Sequence, residues 1–241
     1  MKVVILAGGK GTRLRPFTTV FPKPLVPVGN MPIIEIIIRQ LYAAGFRDVV
    51  ITVGYLAELI ESYLSRIAPQ FPGLRISYVH ETEPTGTAGS LSSINDVSGP
   101  LLVMNGDVLT NIDYRKLMDY HIKQGGALTI STRKKKVKID LGILETENGI
   151  LTNYIEKPEK FYDVSMGIYV YEPSVLSYVE KGKYLDFPDL VLRLIQDGQK
   201  VMSYECEDRW LDIGRHEDLI RAQEEFEKSK DDFLPQRLDK E

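Results

Sequence analysis

The sequence has little of what marks secreted or membrane-spanning proteins. It contains one cysteine, Cys206, so no internal disulfide can form. No stretch approaches the roughly 18 consecutive apolar residues that a membrane-spanning helix needs. The apolar run at residues 3–7 is also too short for a secretion signal. We therefore expect a cytoplasmic protein with no membrane partner.

An excess of positive charge is also missing. Lysine and arginine number 30 against 34 aspartates and glutamates, which gives a net charge of −4. This balance excludes a general affinity for nucleic acids, so an anionic ligand must bind at a local basic site. The basic cluster at residues 133–138 has no interleaved aromatic side chains, and we predict that it forms a solvated hairpin or loop.

Hydrophobic periodicity in the first half of the chain predicts repeated β-α units. Apolar runs predict strands at residues 2–6, 49–53, 75–79 and 101–104, and helix-period segments predict helices at residues 32–44 and 56–67. Strands linked by helices are parallel, and such sheets bind ligands at the carboxyl ends of their strands. The first half therefore predicts an α/β fold whose site lies at that edge.

The second half of the chain has a different pattern. A hairpin is predicted at residues 142–155 with its turn at 147–149, and helices are predicted at residues 185–196 and 216–228. No Ser/Gly/Pro-rich linker divides the chain, so we expect one domain over residues 1–241. Its halves would cover about residues 1–126 and 127–228 and share a sheet, and residues 229–241 are expected to form a flexible tail.

A glycine-rich loop follows the first predicted strand, at residues 6–16. Three glycines within four positions allow backbone N–H groups to point at phosphate oxygens, and Arg13 adds a charged fork. The loop is neither a Walker A motif nor a dinucleotide fingerprint, because the required Ser/Thr and the last glycine are missing. The nucleotide-binding residues predicted here are Leu6, Ala7, Gly8, Gly9, Gly11, Thr12 and Arg13.

This loop, together with Phe21-Pro22-Lys23-Pro24-Leu25, resembles the two-part signature of the sugar-1-phosphate nucleotidyltransferases, also called NDP-sugar pyrophosphorylases. The resemblance extends over essentially the whole chain and is nearest to short members that resemble mannose-1-phosphate guanylyltransferases. It implies a Rossmann-like, GT-A-like fold with an added β-rich half that binds the sugar. It also implies catalytic roles for Arg13, Lys23 and Asp107, and a nucleoside triphosphate and a sugar 1-phosphate as substrates.

Residues 81–89 are similar to the family segment that holds the nucleobase and ribose. Glu81, Gly86, Thr87 and Ala88 are the nucleotide-binding residues predicted there. Guanine offers two adjacent donors, N1–H and N2–H, to a carboxylate, whereas uracil and thymine offer one donor between two acceptors. Glu81 therefore favours GTP, although relatives that use other nucleotides can also carry an acid here.

Two acids are predicted to bind Mg²⁺. Asp107 follows the strand at residues 101–104, and Asp212 lies in the distant segment Trp210-Leu211-Asp212-Ile213-Gly214. A buried acid is costly unless it has a partner, and two converging carboxylates make an oxygen site for Mg²⁺. The family resemblance assigns this role to the matching aspartates.

The sugar phosphate is predicted to bind to a further set of residues. Glu156-Lys157-Pro158 resembles the family element whose acid binds sugar hydroxyls and whose lysine binds the phosphate. The complete set is Asn105, Gly142, Glu156, Lys157, Ser165 and Gly167. Ser165 replaces a family asparagine and Leu141 replaces a frequent tyrosine, so the identity of the sugar is left open.

The expected reaction joins a nucleoside triphosphate to a sugar 1-phosphate and releases pyrophosphate, with GTP and mannose 1-phosphate or a related manno-configured sugar favoured. Two alternatives are left open: a UTP-, dTTP- or CTP-dependent enzyme for glucose 1-phosphate, and a non-catalytic nucleotide-sugar sensor. Because few residues follow Asp212, we expect a stand-alone catalytic unit. A homodimer is also left open, with residues 17–20 and the helix after Pro32 as candidate interface segments.

Overall fold

The computed structural model describes residues 1–235, and its strands confirm the predicted α/β fold. The thirteen strands of these residues are β1 (Lys2–Ala7), β2 (Pro27–Val28), β3 (Met31–Pro32), β4 (Asp48–Val53), β5 (Arg75–His80), β6 (Leu101–Asn105), β7 (Val108–Thr110), β8 (Leu128–Lys138), β9 (Ile143–Glu147), β10 (Ile150–Ile155), β11 (Glu159–Tyr171), β12 (Val201–Glu205) and β13 (Trp210–Asp212).

Seven α-helices are found in the same residues. They are α1 (Ile33–Ala43), α2 (Ala57–Ile67), α3 (Gly86–Gly89), α4 (Tyr114–Gln124), α5 (Phe187–Gln196), α6 (His216–Lys228) and α7 (Lys230–Phe233). None of the helices in residues 1–235 combines the length and the apolar character needed to cross a membrane.

Seven strands form one mixed sheet in the order β12-β8-β11-β6-β1-β4-β5. Strands β6, β1, β4 and β5 are mutually parallel, as are β8 and β12, while β11 runs antiparallel to both of its neighbours. Strands from both halves of the chain therefore belong to the same sheet. The carboxyl ends of β6, β1, β4 and β5 form one continuous edge.

Helices cover both faces of this sheet because its central strands are apolar on both sides. Val3 and Ile5 of β1 face a core built with α1, α2, α4 and α6. Val4, on the opposite side of the same strand, packs in a second core with α3 and α5. Continuous burial of this kind is typical of parallel strands.

Helix α1 shows where an expectation about surfaces is wrong. The segment after Pro32 was expected to expose candidate interface residues, but Ile33, Ile34 and Ile38 are each 0% exposed. The helix is apolar around most of its circumference, which is typical of a helix that is buried in the core. Its isoleucines belong to the core. By contrast, Phe17 and Val20 of the other candidate segment are 50% and 61% exposed.

Beyond the central sheet, residues 133–164 form what we call the ribbon arm. Here β8 and β11 continue as an antiparallel pair, from Arg133 with Val164 to Lys138 with Glu159, and the β9–β10 hairpin lies between them in sequence. No residue of the arm is buried. The basic cluster at residues 133–138 is therefore solvated as predicted, but it forms a strand.

The C-terminal segment differs from its prediction in part. Residues 229–241 were expected to form a flexible tail, but α7 packs against the core through Phe233, which is 1% exposed. The Gln40 side-chain amide also donates a hydrogen bond of 2.7 Å to the Phe233 carbonyl. Residues 236–241 lie outside the described part of the chain.

Candidate active site

A cavity of about 860 Å³ opens at the carboxyl ends of β1, β4, β5 and β6. It lies where parallel-sheet proteins place their ligands. Polar and glycine residues from the loops after these strands line most of it. The lining set includes Leu6, Ala7, Gly8, Gly9, Lys10, Gly11, Thr12, Arg13, Lys23, Thr52, Gly54, Tyr55, Glu81, Gly86, Thr87, Ser90, Asn105, Gly106, Asp107, Tyr184, Asp186 and Gly214.

The glycine-rich loop forms one wall of the cavity and is anchored at both ends. Gly8 and Gly9 leave β1 directly, and Leu14, which is 1% exposed, fixes the far end in the core. Between them, the Thr18 hydroxyl donates a hydrogen bond of 2.8 Å to the Gly11 carbonyl. The loop backbone is therefore held open toward the cavity, where its N–H groups can meet phosphate oxygens.

Lys23 and Asp107 meet on the cavity floor. The Lys23 ammonium forms an ion pair with Asp107 Oδ2, and their side chains are only 12% and 19% exposed. Asp107 comes from the turn between β6 and β7, where its carbonyl accepts a hydrogen bond of 3.2 Å from the Ile213 N–H. This backbone bond joins the Asp107 turn to the segment that carries Asp212.

Asp212 and Arg13 complete this charged group. Arg13 Nη1 and Asp212 Oδ2 each lie 3.6 Å from the position that a Cβ on Gly214 would occupy. Burial raises the pKa of Asp212, and the neighbouring Asp107 raises it further, while Lys23 and Arg13 lower it. The four residues predicted to catalyse the reaction or bind metal therefore lie together.

The two aspartates fit a divalent cation in their chemistry. Asp107 Oδ1 is buried and has no hydrogen-bond partner among the described residues, although a carboxylate oxygen in such a place normally has one. A second carboxylate close enough to raise the pKa of Asp212 increases the negative charge there. Within residues 1–235 no cluster of three or more His, Cys, Asp or Glu side chains is arranged around a metal position. Mg²⁺ commonly binds to one or two carboxylates and completes its shell with water and phosphate oxygens.

Glu81 follows β5, and strands β1 and β4 separate β5 from β6, the strand that leads to Asp107. The Glu81 N–H donates a hydrogen bond of 2.8 Å to the Val53 carbonyl, which extends the pairing of β4 and β5 by one step. Burial raises the pKa of Glu81, whereas hydrogen bonds from the side chains of Thr52 and Ser90 lower it. Neither Thr52 nor Ser90 belongs to a recognisable motif, so sequence reasoning did not single them out.

The predicted nucleotide residues 86–88 are placed differently from one another. Gly86 and Thr87 line the cavity, but Ala88 is 0% exposed and packs in the core beneath it. Gly86 has a φ of +81°, and a Cβ there would lie 2.5 Å from the Leu185 carbonyl oxygen. The close approach that requires glycine at this position is therefore made by this chain's own backbone.

Asp186 occupies the N-cap position of helix α5. Its carboxylate does not bond to the helix, however. Oδ1 accepts a hydrogen bond of 3.2 Å from the Thr87 N–H, and Oδ2 accepts one of 2.7 Å from the Tyr184 hydroxyl. Asp186 thus ties the 86–87 turn to the start of α5 at the cavity rim.

Three of the predicted sugar-phosphate residues lie beside the aspartates. A Cβ on Gly167 would be 2.7 Å from Asn105 Nδ2, and Ser165 Oγ donates a hydrogen bond of 3.3 Å to the Tyr169 hydroxyl. Burial raises the pKa of Tyr169, and the charges of Asp107 and Asp212 contribute to the rise. Tyr169 therefore lies within electrostatic range of the acidic pair, and no sequence motif identified it.

The other three predicted sugar-phosphate residues lie on the ribbon arm and do not line the cavity. The side chains of Glu156 and Lys157 are 58% and 56% exposed, and Lys157 Nζ is 4.0 Å from Glu156 Oε1. The Tyr154 hydroxyl, which lies against Gly142, donates a hydrogen bond of 3.0 Å to Glu156 Oε2. The structure brings Gly142 and Glu156 together, but it does not bring them to Asp107.

Comparisons with known proteins identify the family of this chain. The family model described as "Nucleotidyl transferase" matches residues 2–229. Mannose-1-phosphate guanylyltransferase catalytic subunit beta of Drosophila melanogaster is 36% identical over 91% of this chain and 61% of its own length. Mannose-1-phosphate guanyltransferase of Neurospora crassa is 35% identical over 91% of this chain and 62% of its own length. This chain thus spans about three-fifths of the length of those two relatives.

Among solved structures, a putative glucose-1-phosphate thymidylyltransferase from Bacillus anthracis, in complex with a sucrose, has a TM-score of 0.75. It is 27% identical, and the match covers 93% of this chain and 94% of that one. The likeness extends over the sheet and its flanking helices, so the mixed, mostly parallel architecture is a shared one.

Proposed function

Because this chain belongs to the nucleotidyl transferase family, we propose that it joins a nucleoside triphosphate to a sugar 1-phosphate and releases pyrophosphate. GTP and mannose 1-phosphate, or a related manno-configured sugar phosphate, are the substrates we favour. The product is then a GDP-sugar. The match to guanylyltransferases over 91% of the chain supports this choice.

The observation that carries the proposal is the meeting of Lys23, Asp107, Asp212 and Arg13 beneath the glycine-rich loop. These residues come from four separate segments of the chain. A binding module would not need a lysine, an arginine and two aspartates around one point. An enzyme that brings two polyanionic substrates together needs all four residues, because the repulsion between the substrates is the main barrier to their contact.

The repulsion between the charges of the two substrates can be estimated from Coulomb's law. Two unit charges at 4 Å repel by about 1 kcal/mol in water and by about 4 kcal/mol at an effective dielectric of 20. Each additional phosphate charge adds to this cost. Lys23 and Arg13 reduce it by placing positive charge at the cavity floor, and the loop backbone adds N–H donors. A divalent cation held by Asp107 and Asp212 would supply further positive charge for the phosphate oxygens.

The chemical step needs no protein nucleophile. A phosphate oxygen of the sugar 1-phosphate attacks the α-phosphorus, a new P–O bond forms, and the bond to the β-phosphate breaks. Pyrophosphate leaves with the electron pair of that bond. The attacking oxygen is already ionised near pH 7, so no base is required. The work of the chain is to bind, orient and neutralise the two substrates.

The base assignment rests on Glu81. A carboxylate accepts from N1–H and N2–H of guanine, which lie side by side, whereas uracil and thymine place acceptors next to their single donor. The names of the two guanylyltransferase relatives agree with this choice. The solved structure named for thymidylyl transfer to glucose 1-phosphate keeps UTP, dTTP or CTP with glucose 1-phosphate as the second candidate.

The experiment is a pyrophosphate-release assay with Mg²⁺ over a grid of substrates. GTP, UTP, dTTP, CTP and ATP would each be combined with mannose, glucose, N-acetylglucosamine and heptose 1-phosphates. Activity led by GTP would support the proposal and identify the sugar, whereas activity led by UTP or dTTP would keep the reaction and refute the base. Nucleotide binding without any pyrophosphate release would favour a non-catalytic sensor. A cytoplasmic location and a homodimer remain predictions from the sequence.

A further inference from the structure

Part of the cavity rim is built from residues 184–186, which belong to the second half of the chain. The Leu185 N–H donates a hydrogen bond of 2.9 Å to the Thr85 carbonyl. The Leu185 carbonyl in turn accepts two hydrogen bonds of 3.0 Å, from the N–H groups of Ala88 and Gly89. Leu185 is also 4% exposed, so the core fixes the same residue from the other side. The backbone of this rim is therefore held firmly in place.

Phe187 anchors the end of this rim segment. Its ring stacks on the buried Tyr169 ring, with the centroids 3.9 Å apart and the planes at 30°. Its N–H donates a hydrogen bond of 2.8 Å to the Thr87 hydroxyl. Tyr184 differs from the residues that follow it, because it is 64% exposed and lines the cavity. An exposed aromatic ring thus stands on a fixed backbone.

The Tyr184 ring is oriented by Asp186. The tyrosine hydroxyl donates a hydrogen bond of 2.7 Å to Asp186 Oδ2. Asp186 Oδ1 accepts a hydrogen bond of 3.2 Å from the Thr87 N–H, and it would lie 3.0 Å from a Cβ on Gly86. The ring is therefore tied to the turn whose Gly86 and Thr87 also line the cavity. Tyrosine has few rotatable bonds, so a ring held at its hydroxyl loses little conformational entropy when a ligand packs against its face.

Among the described residues that line the cavity, Tyr55 is the other aromatic one. Its hydroxyl donates a hydrogen bond of 2.9 Å to the Thr19 carbonyl, so it is tied to the segment that leads to Lys23. Tyr184 is tied instead to the turn that is predicted to bind the nucleotide. Of the two rings, Tyr184 is therefore the one placed to meet the nucleoside end of a bound nucleotide.

We propose that Tyr184 is a nucleotide-binding residue whose ring packs against the face of the nucleobase, and that Asp186 is the positioning residue that holds this ring. The inference rests on the proposed function and deepens it. Glu81 contacts the edge of the base, where the bases differ, whereas Tyr184 contacts its face, which every base has. The tyrosine therefore contributes affinity, and the glutamate contributes the choice of base.

The test measures equilibrium binding of GTP, UTP and inorganic triphosphate to the folded chain, with Mg²⁺ and without a sugar phosphate. Stacking between a base and an aromatic ring contributes about 5- to 150-fold in affinity. Tyr184→Ala should therefore weaken the binding of GTP and of UTP by about 10-fold or more. The affinity for inorganic triphosphate should stay within about twofold of wild type, because this ligand has no base to stack.

Two conservative variants separate the ring from its hydrogen bond. Tyr184→Phe keeps the ring and loses the bond to Asp186. Asp186→Asn keeps an acceptor for the Thr87 N–H and loses the acceptor for the tyrosine hydroxyl. Each should weaken GTP binding by about two- to fivefold, as expected for one hydrogen bond, and thus less than Tyr184→Ala does. In the Tyr184→Ala background, Asp186→Asn should have no further effect, because the ring that it positions is gone.

Tyr162→Ala is the matched control. Tyr162 lies on the ribbon arm, is 51% exposed, and is not among the described residues that line the cavity. Its substitution should leave the affinities for all three ligands unchanged. Thermal unfolding of each variant shows whether it is folded before its affinity is interpreted.

Three results would contradict the proposal. A folded Tyr184→Ala variant that binds GTP as tightly as wild type would overturn the contact with the base. Equal losses for GTP and inorganic triphosphate would overturn it too, as would a variant that changes only the KM for the sugar 1-phosphate. Additive losses in the double variant would overturn the positioning role of Asp186.

The proposed function fails in a different way. Tyr184→Ala could lose nucleotide binding selectively while the wild type releases no pyrophosphate with any sugar phosphate. That result would overturn the reaction and leave the Tyr184 contact intact. Binding led by UTP and weakened by Tyr184→Ala would refute the recognition of guanine by Glu81, and it would again leave the contact intact.

Discussion

The cavity floor and the ribbon arm each carry a lysine that the sequence singles out, and the structure treats the two lysines in opposite ways. Lys23 is 12% exposed and paired with Asp107. Lys157 is 56% exposed, and its nearest carboxylate, on Glu156, is 4.0 Å away. The floor is supported by core strands, whereas no residue of the arm is buried. The nucleotide-binding end of the site is therefore preorganised, whereas no buried contacts fix the side chains of the arm.

The difference in burial between the floor and the arm changes the conformational entropy that their side chains lose on binding a ligand. A side chain that the core holds in place loses little conformational entropy when a ligand binds. Its interactions with the transition state are therefore not offset by the cost of ordering it. An exposed lysine must first give up its rotamer freedom, which offsets part of its attraction to a phosphate. We therefore expect substitutions at the floor to reduce turnover strongly. Substitutions on the arm should mainly weaken binding of the sugar phosphate.

The largest effect is expected for Lys23→Ala. Removing a preorganised charge from a reacting phosphate costs about 10²- to 10³-fold in turnover. The measurement is kcat for pyrophosphate release at saturating GTP and mannose 1-phosphate, with thermal unfolding as the check on folding. Near-normal turnover in a folded variant would refute the catalytic assignment of Lys23.

Asp107→Asn should have the next largest effect, on the response to metal. The substitution removes one carboxylate from the pair and also one of the three causes that raise the pKa of Asp212, which are burial, Asp107 and Asp218. We expect the Mg²⁺ concentration needed for half-maximal activity to rise by about 10-fold or more. Asp140→Asn is the arm control, since Asp140 is 76% exposed in its ion pair with Lys138. Superimposable Mg²⁺ titrations for wild type and Asp107→Asn would exclude the metal role.

On the arm, Lys157→Ala should raise the KM for the sugar 1-phosphate by about 10-fold, because one charge-assisted contact is lost. The KM for GTP should stay within about twofold, since the nucleotide end does not depend on the arm. Lys136→Ala, another exposed lysine of the arm paired with Glu159, is the control. A fall in kcat as large as that of Lys23→Ala would show that the arm is as preorganised as the floor. That result would contradict the proposed difference between the two regions.

The same division explains how much could be predicted from the sequence. Strands β1, β4, β5 and β6 were predicted to within a residue or two, because each is a short apolar run that ends in turn residues. The hairpin turn was also predicted, and Asn148 and Gly149 do have φ values of +50° and +83°. Local patterns suffice where the local sequence alone determines the conformation.

Elements that depend on distant partners were missed. The second half of β8 and the first half of β11 are rich in lysine and other polar residues, so no apolar alternation marks them. They form strands because they pair with each other, from Lys138 with Glu159 to Arg133 with Val164, although 21 to 31 positions of sequence separate the partners. Helix α4 was missed although Asp113 caps it and Gly125 ends it in a left-handed conformation, because its mixed composition hides its buried face.

For the site, motifs identified the charged residues and missed their supports. Lys23, Asp107 and Asp212 were found because their neighbours form recognisable patterns. Thr52 was not, because a threonine inside a buried strand has the same appearance as any β-branched strand residue. Its place in the site comes from register, since pairing β4 with β1 brings its hydroxyl beside the Ala7 N–H at the start of the glycine-rich loop. Only the assembled sheet shows that.

The smallest expected effect is on stability. The same substitution, Ile→Val, is made once in the core and once on the arm. Ile5→Val removes a methylene from a side chain that is 0% exposed, and should lower the free energy of unfolding by about 0.5–1.5 kcal/mol. Ile150→Val makes the same change on the arm, where the side chain is 71% exposed, and should stay within about 0.5 kcal/mol of wild type. Chemical denaturation of both variants measures the difference. Equal losses would mean that Ile150 is buried in solution, so that the arm is packed against something and is not the free ribbon of this structure.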